Sequence, residues 1–144
     1  MPQLSHRPRL LIVDDEEAAL NSLRDIFGIE NFDVVAASSA EQALEIFRAQ
    51  DFDVVLTDLR MGNLDGMDLL KAVKTFRPDV EVVIMTAFGT IEKAVEAMRE
   101  GAYDFVQKPL KRPLVVRSVT RAAEKAGLMA ENRALRAQLE AMAG

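Results

Sequence analysis

Five short runs rich in apolar residues punctuate this chain, at residues 9–13, 33–36, 54–58, 81–86 and 103–107. A run of that length bounded by turn residues has the signature of a buried strand. Stretches with apolar residues at helical spacing follow each run. In the first, Ala19, Leu20, Leu23, Ile26 and Phe27 share a face; in the second, Ala43, Leu44, Ile46 and Phe47 do. Strands that alternate with helices pair in parallel through right-handed crossovers, with helices on both faces of the sheet. The chain therefore reads as α/β, a doubly wound (βα)5 sheet. The flavodoxin-like order 2-1-3-4-5 is the economical one at this size.

Local signals set the helix ends. Ser39 is placed to cap the second helix, with Gln42 three residues on as in a capping box. The third starts near Asp65 and Gly66 and stops before Arg77, because the residue ahead of Pro78 disfavours helix. Thr90 caps the fourth, and Gly101 stops it. The fifth begins near Pro113, a favoured first helical position. At 144 residues the chain fits one domain at residues 9–126, a disordered leader at 1–8 and a helical extension at 127–144. Its one histidine, His6, is a tail residue of that leader.

Composition excludes some functions. There is no cysteine, so disulfides and thiolate metal sites are ruled out. No apolar run approaches a membrane span or a signal segment, and the reading places the protein in the cytoplasm. The net charge is −5, yet residues 109–144 hold seven basic and three acidic side chains, which leaves the rest at −9. An acidic globule disfavours nucleic acid.

In the order 2-1-3-4-5 the first, third, fourth and fifth strands lie side by side, so their carboxyl ends share one pocket. That brings together Asp14, Asp15, Asp58, Thr86 and Lys108. Three carboxylates repel each other unless a cation joins them. A hard divalent ion such as Mg²⁺ takes one or two carboxylates and keeps several waters, which leaves positions for phosphate oxygens. Thr86 offers a hydroxyl and Lys108 a point charge. Such a cradle suits phosphoryl transfer, with Asp58 as the nucleophile. Blander roles exist for each residue alone: Asp14 and Asp15 could simply begin a helix.

Four motifs carry a family resemblance: Leu10-Leu11-Ile12-Val13-Asp14-Asp15-Glu16, Val55-Leu56-Thr57-Asp58-Leu59-Arg60-Met61, Met85-Thr86-Ala87 and Phe105-Val106-Gln107-Lys108-Pro109. In that order and spacing they resemble the receiver domain of two-component response regulators, over about residues 9–126. The resemblance implies that Asp58 accepts a phosphoryl group from a phosphohistidine on a sensor histidine kinase. It implies that Asp15 and Asp58 bind Mg²⁺ directly with the backbone carbonyl of Arg60, and that Asp14 acts partly through water. Lys108 would pair with the acids and then the phosphate, Thr86 would be the switch hydroxyl, and Phe105 the switch aromatic. The Lys108-Pro109 bond would be cis. Two positions depart from the usual pattern: Gly62 stands where the family has Pro, and Phe105 where Tyr is commoner. Tyr103, by alternation, shares the face of Phe105.

The 58–61 and 85–90 phrases look most like the NtrC and DctD subgroup, whose receivers precede an ATPase that activates the alternative sigma factor. Leu128, Asn132, Leu135, Leu139 and Met142 follow 4-3-4-3 spacing, the seam of a parallel coiled-coil homodimer. Gly127 weakens that helix by about 1 kcal/mol relative to Ala. The alternative for this segment is a single amphipathic helix, folded onto the receiver or left waiting for a missing domain. No Walker-type loop occurs in the chain, so ATPase and DNA-binding domains are read as missing partners. The leading function is a signalling switch, not an enzyme beyond its own phosphorylation and dephosphorylation. A haloacid-dehalogenase-type phosphatase is disfavoured because Arg60 occupies the position of its second Asp. A flavin binder lacks its phosphate cradle, and a stand-alone receiver leaves the apolar seam unexplained.

Overall fold

The computed structural model describes residues 7–61, 64–87 and 91–143. His6 and the rest of residues 1–6, Gly62 and the Thr90 cap lie outside the described residues. Strands and helices alternate: β1 (Arg9–Val13), α1 (Glu17–Ile29), β2 (Asp33–Ala37), α2 (Ala40–Ala49), β3 (Val54–Asp58), α3 (Gly66–Phe76), β4 (Glu81–Thr86), α4 (Ile91–Arg99), β5 (Asp104–Gln107) and α5 (Arg112–Ala143). All strands pair parallel in the order β2-β1-β3-β4-β5, the doubly wound arrangement read from the runs.

Alternation along the strands divides the core in two. Leu11, Val13, Val55, Val82 and Ile84 face α2, α3 and α4, where they meet Phe47, Leu69 and Val73. Leu10, Ile12, Leu56, Val83 and Met85 face α1 and α5, against Leu23, Phe27 and Val119. Both faces of the central strands are thus buried, which is why apolar residues follow one another there without alternation.

The helix ends follow local chemistry, with one shift. Ser39 Oγ accepts from Gln42 N at 3.1 Å. The Gln42 amide oxygen, however, accepts from Ser38 N at 2.8 Å and not from Ser39 N, so the reciprocal half of the box lies one residue further back. A complete capping box is found on α3, between Asp65 and Asp68. Gly101 ends α4 with φ at 108°, a conformation that favours glycine. The carbonyls at the end of α2 are met from afar: Arg77 Nη1 donates to Phe47 O at 2.7 Å and Gln50 O at 2.8 Å.

Tyr103 corrects an expectation. It packs on the α1 and α5 side, with Lys125 Nζ 5.6 Å from its ring centroid, whereas Phe105 packs on the opposite side of the sheet. The strand begins only at Asp104. Tyr103 lies in the bend before it, where the period-two rule no longer applies.

Helix α5 runs unbroken from Arg112 through Gly127 to Ala143. Its inner row ends at Ala126, the last buried residue. Leu128, Leu135, Leu139 and Met142 are exposed, and so is Asn132. The apolar seam of this segment does not pack onto the domain. No helix among the described residues is long and apolar enough to cross a membrane.

Candidate functional site

Parallel pairing puts every strand's carboxyl end at one edge of the sheet. Val13 is level with Thr57, Asp58 with Met85 and Thr86 with Gln107. The residues at or just past these positions are Asp14, Asp58, Thr86 and Lys108, so the edge assembles what the sequence pointed to. Asp14 is fully buried, Asp15 beside it is exposed, and Asp58 is half-buried.

Lys108 joins the two shielded acids. Its Nζ donates to Asp14 Oδ2 at 2.8 Å and to Asp58 Oδ2 at 3.0 Å. The remaining oxygens take backbone donors: Asp14 Oδ1 from Glu16 N at 2.9 Å, and Asp58 Oδ1 from Arg60 N at 3.3 Å. Asp14 thereby also fills the bland role of starting α1, whose N-cap Glu16 has no side-chain cap of its own. Burial by itself would lower the Lys108 pKa. The hydrogen bonds and negative charges of Asp14 and Asp58 outweigh it, and the ammonium is held above its ordinary value of 10.5.

Carboxylate oxygens of Asp14, Asp15 and Asp58 all lie within 4.8 Å of one another. Oxygens on opposite sides of a bound Mg²⁺ are roughly 4 Å apart, so three hard donors at this spacing fit such an ion with little closing. Asp15 is outside the Lys108 bridge and accessible to solvent, which leaves a carboxylate for a cation entering from water. Arg60 reaches Asp58 through its N–H, the main chain of the expected metal loop being therefore alongside the acid.

Thr86 is buried at the tip of β4, and its carbonyl accepts from Lys108 N at 2.7 Å. Phe105, on the neighbouring strand, is half-buried against the cluster that includes Ala97 of α4. The Lys108-Pro109 bond is cis.

Four residues were not legible as contributors to the site. A cleft of about 270 Å³ opens at Asp58 and is lined also by Asp65, Met67 and Lys93. The fourth, Gly66, contributes space. A Cβ there would collide with the carbonyl oxygen of Asp58 and stand 2.8 Å from Leu59 Cα, while Gly66 N–H donates to Leu59 O at 2.9 Å. A glycine directly after a capping Asp, at the start of a helix it does little to favour, was the available signal.

Residues 10–120 match the response regulator receiver domain family. The chain belongs to that family. Among relatives of this receiver, the C4-dicarboxylate transport transcriptional regulatory protein DctD of Rhizobium meliloti (strain 1021) is 34% identical over 138 residues, covering 96% of this chain and 30% of DctD. The transcriptional regulatory protein ZraR of Escherichia coli (strain K12) is 43% identical over 101 residues, 70% of this chain and 23% of ZraR. The solved receiver domain of NtrX from Brucella abortus is 35% identical, with a TM-score of 0.77 over 80% of this chain and 98% of that one. A longer NtrX structure from the same organism gives 32% identity and a TM-score of 0.83, covering 90% of this receiver and 30% of NtrX. The receiver thus spans less than a third of the DctD and ZraR chains it matches. Receiver domains as a class are phosphorylated by histidine kinases and bind Mg²⁺ at an acidic site.

Proposed function

We propose that this receiver is a phosphorylation-controlled switch that acts on a downstream transcription-activating ATPase carried elsewhere in a longer regulator. The observation that carries the reading is the Lys108 ammonium bridging Asp14 and Asp58, with Asp15 close by, at the carboxyl edge of a parallel sheet. In the proposed step an Asp58 oxygen attacks the phosphorus of a phosphohistidine. The phosphorus–nitrogen bond breaks, and its electron pair leaves on the imidazole. Mg²⁺ held by Asp14, Asp15, Asp58 and the Arg60 carbonyl would neutralise charge on the phosphoryl oxygens. Lys108 would shift from the acids to the phosphate.

The reading involves no turnover of an outside substrate. It is supported against a phosphatase by Arg60, an exposed cation where such an enzyme needs a second acid. With a small phosphodonor and Mg²⁺ the protein should accumulate one phosphate per chain. Continuous phosphate release with no phosphoprotein detectable by mass would favour the phosphatase.

Thr86 and Phe105 are proposed as the switch: phosphate draws the Thr86 hydroxyl inward, and Phe105 moves into the space left. A ligand shifts such an equilibrium only by its differential affinity for the two states. Thr86→Ala should therefore still be phosphorylated, with NMR shifts on α4 at phosphorylation reduced to less than about half of wild type. Equal α4 shifts in the two proteins would sink the assignment.

The seam on α5 is proposed to bind a second copy of this chain. With Asn132 and Leu139 at a positions, Leu128, Leu135 and Met142 fall at d, and a buried Asn at a sets register in parallel dimers. Support comes from the exposure of all five residues on an unbroken helix. Glu131 and Arg136 fall at g and e, where they can pair across chains. Sedimentation should show a dimer whose affinity drops when the chain is cut after Ala126, and at least about tenfold for Leu135→Glu, which buries an unpaired charge. A full-length chain that stays monomeric at high micromolar concentration, with and without phosphodonor, would reject the interface.

A further inference from the structure

Helix α5 leaves the body of the domain after Ala126, and the next residue is Gly127. Apart from its chain neighbours and the backbone of its own helix, no atom of the described residues lies within 4 Å of where a Gly127 Cβ would stand, so packing does not call for glycine there. Relative to Ala, Gly moves the local helix–coil balance about fivefold toward coil. The helix is weakest where its packing ends.

Two ion pairs straddle this point. On the near side Lys125 Nζ is 3.5 Å from Glu81 Oε2, and Lys74 Nζ is 3.6 Å from Glu81 Oε1. Glu81 is buried at the start of β4, and Lys74 is itself fixed by donating to Pro78 O at 2.7 Å and Val80 O at 3.0 Å. On the far side Arg133 Nη1 meets Asp79 Oδ2. That oxygen is buried and makes no hydrogen bond, so among the described residues only Arg133 answers its charge. Arg133 lies seven residues past Ala126, on the helix face that packs against the sheet and not on the face of the Leu128 seam.

We propose that Arg133 and Asp79 form a latch that splints α5 across Gly127 and so fixes the direction in which the helix leaves the receiver. Closed, the latch makes α5 one rod from Arg112 onward, with the apolar seam turned away from its own domain. Open, the rod bends at Gly127. The latch sits at the amino end of β4, the strand whose other end carries Thr86. It is an intramolecular contact and does not require the seam to be a dimer interface.

Hydrogen exchange on the full chain tests it. With Arg133 largely in solvent the pair is worth a small factor even though the Asp79 oxygen is shielded, so Arg133→Ala should speed exchange of the amides in residues 128–136 by roughly two- to fivefold, with the sheet unchanged. Asp79→Asn should match it, and the double variant should do no more than either single. Higher salt should narrow the gap to wild type. Gly127→Ala should slow exchange in the same segment about fivefold. A spin-label distance from the receiver to position 140, taken on labelled chains diluted into unlabelled ones, should broaden in Arg133→Ala. That readout is within one chain, so it separates the latch from the dimer. Unchanged exchange and distance in Arg133→Ala, single effects that simply add, or no slowing in Gly127→Ala would overturn the proposal.

Discussion

Gly66→Ala should lower the melting temperature of this receiver by roughly 10 °C and slow phosphorylation of Asp58. The substituted methyl would meet the main chain of Asp58 and Leu59, with no flexible side chain able to give way. Overpacking against soft side chains costs about 1–3 kcal/mol, and backbone yields less, so about 3 kcal/mol is the expectation. At this domain size that corresponds to roughly 10 °C. The gain in helix propensity from Ala is about 1 kcal/mol and does not offset it. Calorimetry alongside phosphorylation kinetics checks both parts. A variant as stable and as reactive as wild type would mean that the start of α3 does not set the position of the acceptor strand.

The second large effect is expected from Lys108→Met. Asp14 is fully buried and Asp58 mostly shielded, and Lys108 supplies the only cation that the described residues bring to either. Breaking a fully buried pair costs about 3–5 kcal/mol. The Lys108 side chain is 24% exposed, so water screens part of this and about 1–3 kcal/mol is the figure expected here. Mg²⁺ should restore part of the loss, since it answers the same carboxylates, and should bind the variant more tightly than wild type. The pH dependence follows from the raised Lys108 pKa. Its folded value lies above 10.5, so its contribution is whole below that pH and is lost as pH climbs through the folded value. The gap between wild type and Lys108→Met should stay constant through neutral pH and close only in strong alkali. Urea unfolding with EDTA and with Mg²⁺ measures all of this, and identical stabilities in EDTA would contradict the role given to Lys108.

The fold was legible because its determinants are local and periodic. A parallel strand buried on both faces is apolar on both, and residues 54–56 say so directly. The site was legible for a related reason: its members stand at strand ends, and topology alone gathers strand ends. What escaped depends on contacts between distant parts of the chain. Arg77 meets the end of α2 across about thirty positions, 30 to Phe47 O, and no local pattern announces it. Gly66 matters through the space it leaves beside Asp58. Tyr103 was misplaced because alternation was carried one residue beyond the ladder, and Gln42 found Ser38 because a long side chain reaches more than one backbone donor.

The central claim is that Asp58 is the acceptor and that the acidic cluster works with a divalent ion. Intact-mass analysis after treatment with acetyl phosphate tests it most directly. The expected result is one added phosphate on wild type in Mg²⁺, none on Asp58→Asn, and none on wild type in EDTA. Equal phosphate incorporation by wild type and Asp58→Asn would contradict it.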